Sequence, residues 1–299
     1  EKKTMSKRIG LIGIGNMGYG IALNLIKAGY FLHIIKHRNS QKVQKLQEMG
    51  ARLEYSIIDI ALKCETILLC LPNSRVVEEV LLGEDGVINH LRNNAVIIDC
   101  STSRPESTKI LGDYLKDKQV TLLDAPLTKG PEEAIKGKLN VMVGGDYTIF
   151  EKNKDILRCF SENIFYIGKL GEAHKLKLFN NFISMGFTGI VITSLALAKL
   201  NNIDVNKLDE IMSKGSNYIS TLPSMINWIN NKEESILQFS INNAYKDLKY
   251  FKEIINEEEQ SKLFIVDEFI LFFQQAIERG LGNEMLPRLY DFYSKHKKF

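Results

Sequence analysis

Short, nearly all-apolar runs recur along the first half of the chain, at residues 8–12, 31–35, 66–71, 95–99, 120–124, 139–143 and 164–167, with amphipathic segments between them. Runs that lack polar alternation are what strands buried on both faces look like, and the intervening helical segments supply the cover. The alternation predicts an α/β fold with parallel strand pairing and helices on both sides of one sheet. After Gly171 the pattern becomes helical, beginning with about thirty residues without proline, and stays so to the end. A boundary at 168–171 follows, with an α/β domain over 5–170 and an all-α domain over 171–299, joined by a long helix. The four residues before Met5 are set aside.

Composition narrows the classes of partner. With 299 residues, 44% hydrophobic and 25% charged, the chain can bury two cores. The net charge of +3 is spread out, and no basic block interleaved with aromatics marks a nucleic-acid surface. Cys64, Cys70, Cys100 and Cys159 are far apart with no CxxC pair, so a reducing cytoplasm and no metal are expected. The charged N-terminus lacks a signal-type pattern, and no apolar run reaches the ~20 residues of a membrane span, so no membrane partner is expected.

The run at 8–12 leads directly into Gly13, Gly15 and Gly18, and a helical segment starts at Asn16. In a dinucleotide site the first glycine makes the tight turn and the second lets the pyrophosphate approach the backbone. The third lets the helix pack on the sheet with its amides toward phosphate. Gly13, Gly15, Asn16, Met17 and Gly18 are the candidate cofactor cradle. The second strand ends in Lys36-His37-Arg38-Asn39, where an NAD site usually carries an acid. This cationic end predicts a 2′-phosphate and hence NADP in preference to NAD, which stays possible. The alternative is a solvated loop of mixed charge.

Further stretches, in order, are "CLPNSRVVEEVLLGEDG", "IIDCSTSRPEST", "LLDAPLTKGPEEAIKGKLNVMVGGD" and "GEAHKLKLFNN". With the glycine turn they resemble the β-hydroxyacid dehydrogenase family, which includes 3-hydroxyisobutyrate dehydrogenases and several semialdehyde reductases, and the resemblance covers nearly the whole chain. It implies a Rossmann-type N-terminal domain, a helical C-terminal domain and catalysis in the cleft between them. It implies that Leu71, Pro72, Val76, Thr102 and Lys246 border the cofactor. Ser101, Thr128, Lys129, Gly130, Asn180, Ser184, Phe239 and Asp247 then face the substrate.

The family's catalytic lysine stands in a K-x-x-N-N pattern, which Lys177, Asn180 and Asn181 match. Lys175 is about 200° away around the helix and cannot serve the same face, whereas Lys177, Asn181 and Ser184 share one at i, i+4 and i+7. A lysine ammonium can stabilise a developing alkoxide and give it a proton, and its neutral amine can take the proton back. Burial would lower its pKa from ~10.4 toward that task, with Asn181 holding the ammonium. A polar stripe in solvent is the bland alternative.

The chain departs from the family's D-A-P-V-S-G-G loop, reading Asp124-Ala125-Pro126-Leu127-Thr128-Lys129-Gly130. Lysine there predicts a substrate with a second or stronger anionic group, unless its side chain faces solvent. The sulfolactaldehyde reductases are partly similar at this loop. Gly20 replaces a frequent proline and concerns helix geometry. The expected activity is an NADP-preferring oxidoreductase interconverting a small anionic β-hydroxy acid and its semialdehyde. The alternatives are a non-catalytic NAD(P)-binding protein or an imine reductase. Phe264, Phe269, Phe272 and Phe273 point to a homodimer or homotetramer.

Overall fold

The structure, a computed structural model, describes residues 7–35, 40–235, 237–257 and 264–295. It divides into two compact units, Glu1–Lys177 and Leu178–Phe299.

In the first unit the strands are β1 (Arg8–Ile12), β2 (Phe31–Ile35), β3 (Arg52–Glu54), β4 (Thr66–Leu69), β5 (Val96–Asp99), β6 (Thr121–Asp124), β7 (Leu127–Thr128), β8 (Leu139–Gly144) and β9 (Ser161–Gly168). They form one sheet in the order β3-β2-β1-β4-β5-β6-β8-β7, with β9 on β8. All pairs from β3 to β6 are parallel, which is the 3-2-1-4-5-6 order of a dinucleotide-binding fold. The expectation of parallel pairing is corrected at β8, which runs antiparallel to β6 and β7. Helices α1 (Asn16–Lys27), α2 (Ser40–Glu48), α3 (Ile57–Lys63), α4 (Ser74–Leu82), α5 (Pro105–Lys116), α6 (Pro131–Lys136) and α7 (Tyr147–Arg158) connect the strands. Alternate strand residues feed two cores: Ile9, Leu11, Leu68 and Ile98 lie in one, and Ile12, Ile67, Leu69 and Ile97 in the other. This is the two-sided burial that the apolar runs require.

Short strands and strand ends account for the sequence-level misses. β3 has only three residues and β7 two, too few for a periodic signal. The fourth strand stops at Leu69 because the Leu71 amide leaves the ladder to donate to Ser101 Oγ at 2.9 Å. β9 is largely exposed along its length, so only its apolar middle was legible.

Helix α8 (Glu172–Leu200) begins in the first unit and continues into the second. The division falls after Lys177, beyond residue 170, and the first turns of α8 are hydrogen-bonded to the end of β6. An 18-residue window of α8 has mean hydropathy 1.6. This corrects the expectation about apolar runs: by length and composition the helix is able to cross a membrane. Half of that window is buried within the protein, as in a core helix.

The second unit adds α9 (Val205–Ser213), α10 (Thr221–Asn231), α11 (Ile241–Glu257), α12 (Phe264–Glu278) and α13 (Arg288–Tyr293). Leu195, Trp228, Leu248, Phe273 and Tyr290 are central to its core. Phe273 is fully buried there, and Phe269 and Phe272 pack against the same cluster, so they do not form the open apolar surface expected of them. The Phe264 side chain lies outside the described residues. Half-exposed apolar side chains lie instead along α8, at Leu176, Phe179, Ile183, Phe187, Ile190 and Leu197.

Candidate functional site

The glycine turn follows β1 and opens α1 at the carboxyl edge of the parallel strands, where open α/β sheets bind ligands. Gly13 has φ +109°, a conformation that side chains rarely adopt, and a Cβ there would run into the Cys70 carbonyl. A Cβ on Gly18 would strike the Gly13 carbonyl. Gly15 differs: it caps α1 without a side-chain hydrogen bond, and a Cβ there meets nothing within 4 Å. The space is thus open where a pyrophosphate has to come close to backbone amides, and the turn fits the dinucleotide expected of it. Asn16 is exposed and Met17 half-buried beside it. Gly20 has a packing role, since a Cβ there would collide with the Ala134 backbone of α6. Asn24, one turn on, donates to the Ala134 carbonyl at 2.8 Å.

Lys36, His37, Arg38 and Asn39 lie outside the described residues. The structure adds a cation that sequence reasoning missed. Lys42, in the first turn of α2, donates to Asn16 Oδ1 at 2.6 Å and lies 5.6 Å from the Tyr19 ring centre. Burial lowers its pKa below the ordinary lysine value. Its position three residues beyond the cationic strand end was the available signal.

At the ends of β4 and β5, Leu71 and Val76 are half-buried and Pro72 exposed. Asn73 Oδ1 accepts from the Val76 amide at 3.0 Å and starts α4. Thr102 is half-exposed, while Ser101 is buried with its hydroxyl committed to Leu71. Ser101 therefore braces the ends of two strands, its hydroxyl accepting from Leu71 and its amide donating to Asp99.

In the loop after β6, Thr128 Oγ1 accepts from Asn140 Nδ2 at 3.1 Å. Lys129 has φ +72°, so it keeps the backbone conformation for which glycine is the ordinary choice. Its ammonium pairs with Glu162 on β9 at 2.6 Å, and the hydrogen bond and charge of Lys129 together hold the Glu162 carboxyl below its ordinary pKa. The Lys129 charge is thus matched by a carboxylate of the chain itself. The Gly130 amide donates to Glu133 Oε2 at 3.1 Å, so a side-chain carboxylate occupies the amide expected to receive the substrate's.

Lys177 is 8% exposed and Asn181 5%, one turn apart on α8. A polar stripe in solvent is thereby ruled out for this pair. In the second unit Asn181 Nδ2 donates to Asp247 Oδ2 at 2.6 Å, and Asn181 Oδ1 accepts from Asn180 at 3.1 Å. Lys246 lies 3.2 Å from Asp247 Oδ1. Buried Asp247 is thus held between an amide and an ammonium, a partnership expected of a carboxylate out of water. Ser184 donates to the Asn180 carbonyl at 2.9 Å. Ser184 and Phe239 both line an open groove of about 690 Å³ with Thr188, Tyr218, Thr221 and Leu286. Among the described residues no group of three His, Cys, Asp or Glu side chains is arranged to hold a metal ion.

The sheet order and the glycine turn define a dinucleotide-binding domain of Rossmann type. The family model for the NAD binding domain of 6-phosphogluconate dehydrogenase matches residues 8–168. A probable mitochondrial 3-hydroxyisobutyrate dehydrogenase from Dictyostelium discoideum is 33% identical over 71% of this chain and 65% of its own length, slightly under two thirds. An NAD-dependent L-serine dehydrogenase from Pseudomonas aeruginosa is 32% identical over 70% of each chain. The crystal structure of a 3-hydroxyisobutyrate dehydrogenase from Salmonella typhimurium superposes with TM-score 0.85 at 19% identity, covering 96% of this chain and 100% of that one. The chain belongs to the β-hydroxyacid dehydrogenase family.

Proposed function

We propose that the protein interconverts a small β-hydroxy acid and its semialdehyde, with NADP as the preferred cofactor and Lys177 as the proton donor and acceptor. The burial of Lys177 carries this reading, since lysine is almost never fully buried without a task or a partner. The nicotinamide, when bound, supplies or removes the hydride. The chain's part is to hold the substrate oxygen near the Lys177 ammonium, which gives a proton as the alkoxide forms and takes one in the reverse direction. One turn on along α8, Asn181 is itself held by Asp247 of α11.

Cationic residues at the end of β2, with Lys42 beside the glycine turn, support NADP. One relative is named for NAD and L-serine and another for 3-hydroxyisobutyrate, so the substrate range is one carboxylate with a hydroxymethyl-bearing carbon. With Lys129 paired to Glu162, a single carboxylate suffices. The free cysteines support a reducing compartment such as the cytoplasm, and the half-exposed apolar residues of α8 support a homo-oligomer, readable by light scattering.

The test is a screen of 3-hydroxyisobutyrate, L-serine, succinic semialdehyde and tartronate semialdehyde with both cofactors, in wild type and Lys177→Ala. The expected result is turnover in wild type, a loss of at least about 1,000-fold in Lys177→Ala, and unchanged NADPH binding. Retained turnover in the variant would remove Lys177 as the acid.

A further inference from the structure

His174 is fully buried, three residues before Lys177 and so on the adjoining turn of α8. Both ring nitrogens are engaged. Nε2 lies 3.0 Å from the Ser101 carbonyl, which only accepts, so Nε2 carries the proton and donates. Nδ1 shares a 2.8 Å hydrogen bond with Thr108 Oγ1 on α5. The backbone is engaged too, for the His174 amide donates to Asp124 Oδ2 at 2.8 Å and the Gly171 amide donates to Asp124 Oδ1 at 2.9 Å.

Ser101 extends this network in two directions. Its hydroxyl accepts from the Leu71 amide, and its amide donates to Asp99 Oδ1 at 2.9 Å. Asp99 Oδ2 accepts from Ser103 at 3.0 Å and lies 3.8 Å from His174 Nε2. The imidazole therefore joins the loop after β5, and through Ser101 the end of β4, to the turn of α8 that precedes Lys177, while the backbone amides of Gly171 and His174 tie that turn to the end of β6. Thr102, in the loop next to Ser101, hangs from the same support.

We propose that His174 is a positioning residue: it fixes the start of α8 against the loop at 101–103, and so sets the distance between the Lys177 ammonium and the cofactor edge of the sheet. The proposal rests on the reading of Lys177 as the acid. Both ring contacts are geometric constraints on a single rigid plane, whereas an apolar residue of similar size would fill the space and fix neither loop nor helix. A displacement of about 1 Å at a proton donor costs on the order of 100-fold in rate.

The experiment compares His174→Leu, which fills the space without hydrogen bonds, with His174→Gln, which keeps a donor toward Ser101. Hydrogen exchange of the amides at 171–178 is read in both variants, together with NADPH affinity and kcat for the best substrate of the screen. We expect His174→Leu to raise exchange across 171–178 and to lower kcat by about 10- to 100-fold, with NADPH affinity within about twofold. His174→Gln should recover most of both. Should His174→Leu leave exchange at 171–178 as in wild type, or should both variants lose kcat and NADPH affinity together, the positioning role is overturned. The double variant with Lys177→Ala separates the two readings: no further loss beyond Lys177→Ala alone supports action through Lys177, and an independent further loss overturns it. If Lys177→Ala itself keeps wild-type turnover, the acid assignment fails, while the exchange result still decides whether His174 orders α8.

Discussion

Two places at the carboxyl edge of the same sheet are built in opposite ways. The turn at Gly13–Gly18 works by lacking side chains: one glycine adopts a positive φ, one lets a helix come close, and one leaves space open. The start of α8 works by burying polar side chains, with Asp99, Asp124, His174 and Thr108 exchanging hydrogen bonds out of water. At Gly13 and Gly18 the first kind of site tolerates no added atom. The second tolerates no lost or reversed hydrogen bond. The comparison teaches where each is fragile.

The sharpest break should come at the turn. In Gly13→Ala the new methyl group meets both an unfavourable φ and the Cys70 carbonyl, which as backbone cannot step aside. A loss of about 3 kcal/mol or more is expected from the combined strain and overpacking. Thermal denaturation measures it, and nicotinamide fluorescence should show cofactor binding lost as well. Gly15→Ala should leave stability within about 0.5 kcal/mol, because its Cβ meets nothing, yet weaken the cofactor. If both variants were equally stable, the turn's conformation would not be the constraint argued above.

At the buried knot, Asp124→Asn changes almost no volume but sets an N–H donor against one backbone amide in place of an acceptor. Each carboxylate oxygen accepts from a backbone amide of α8's approach, and an asparagine can accept from only one of them. An expected loss of about 2 kcal/mol follows from one unsatisfied buried donor facing another, read as a lower melting temperature. An unchanged melting temperature would show that the amides find other partners.

These two regions also divide what the sequence made legible. Glycines at fixed spacing after an apolar run are a local signal, and polar residues at i and i+4 share a helix face, so the turn, the parallel strands and the common face of Lys177 and Asn181 were within reach. The knot joins residues far apart in the chain, as in His174 with Ser101 and Thr108, and no local period reports such contacts. Lys129 shows a third case: its residue type signalled added charge, but the neutralising Glu162 sits on a strand of which only the middle could be read. The partner of Ser101 at Leu71 is likewise a backbone amide in another loop, which no local pattern reports.

A smaller effect tests whether the turn has a cationic flank. Lys42→Ala removes the ammonium beside Asn16. NADPH affinity should weaken by about tenfold, near 1.4 kcal/mol, with NADH affected less. Equal losses for the two cofactors would mean that Lys42 supports the turn generally and does not face a 2′-phosphate.

The smallest effect probes the outermost strand of the sheet with pH. Glu54 at the end of β3 is buried, accepts from His33 Nδ1 at 2.7 Å if that nitrogen carries its proton, and is bonded by Lys63. Burial alone pushes its carboxyl upward, but the hydrogen bonds and charges of Lys63 and His33 outweigh this and hold it below the ordinary value of 4.5. A depressed folded-state pKa means stability that is fully present above the unfolded value and is lost as pH falls from about 4.5 through the folded one. Because Lys63 is half-exposed and screened, the contribution is discounted to about 1 kcal/mol. Melting temperatures of wild type and Glu54→Gln should therefore differ most at neutral pH and converge below pH 4. Parallel curves across that range would show that the carboxylate charge adds nothing to this edge beyond the shape of its side chain.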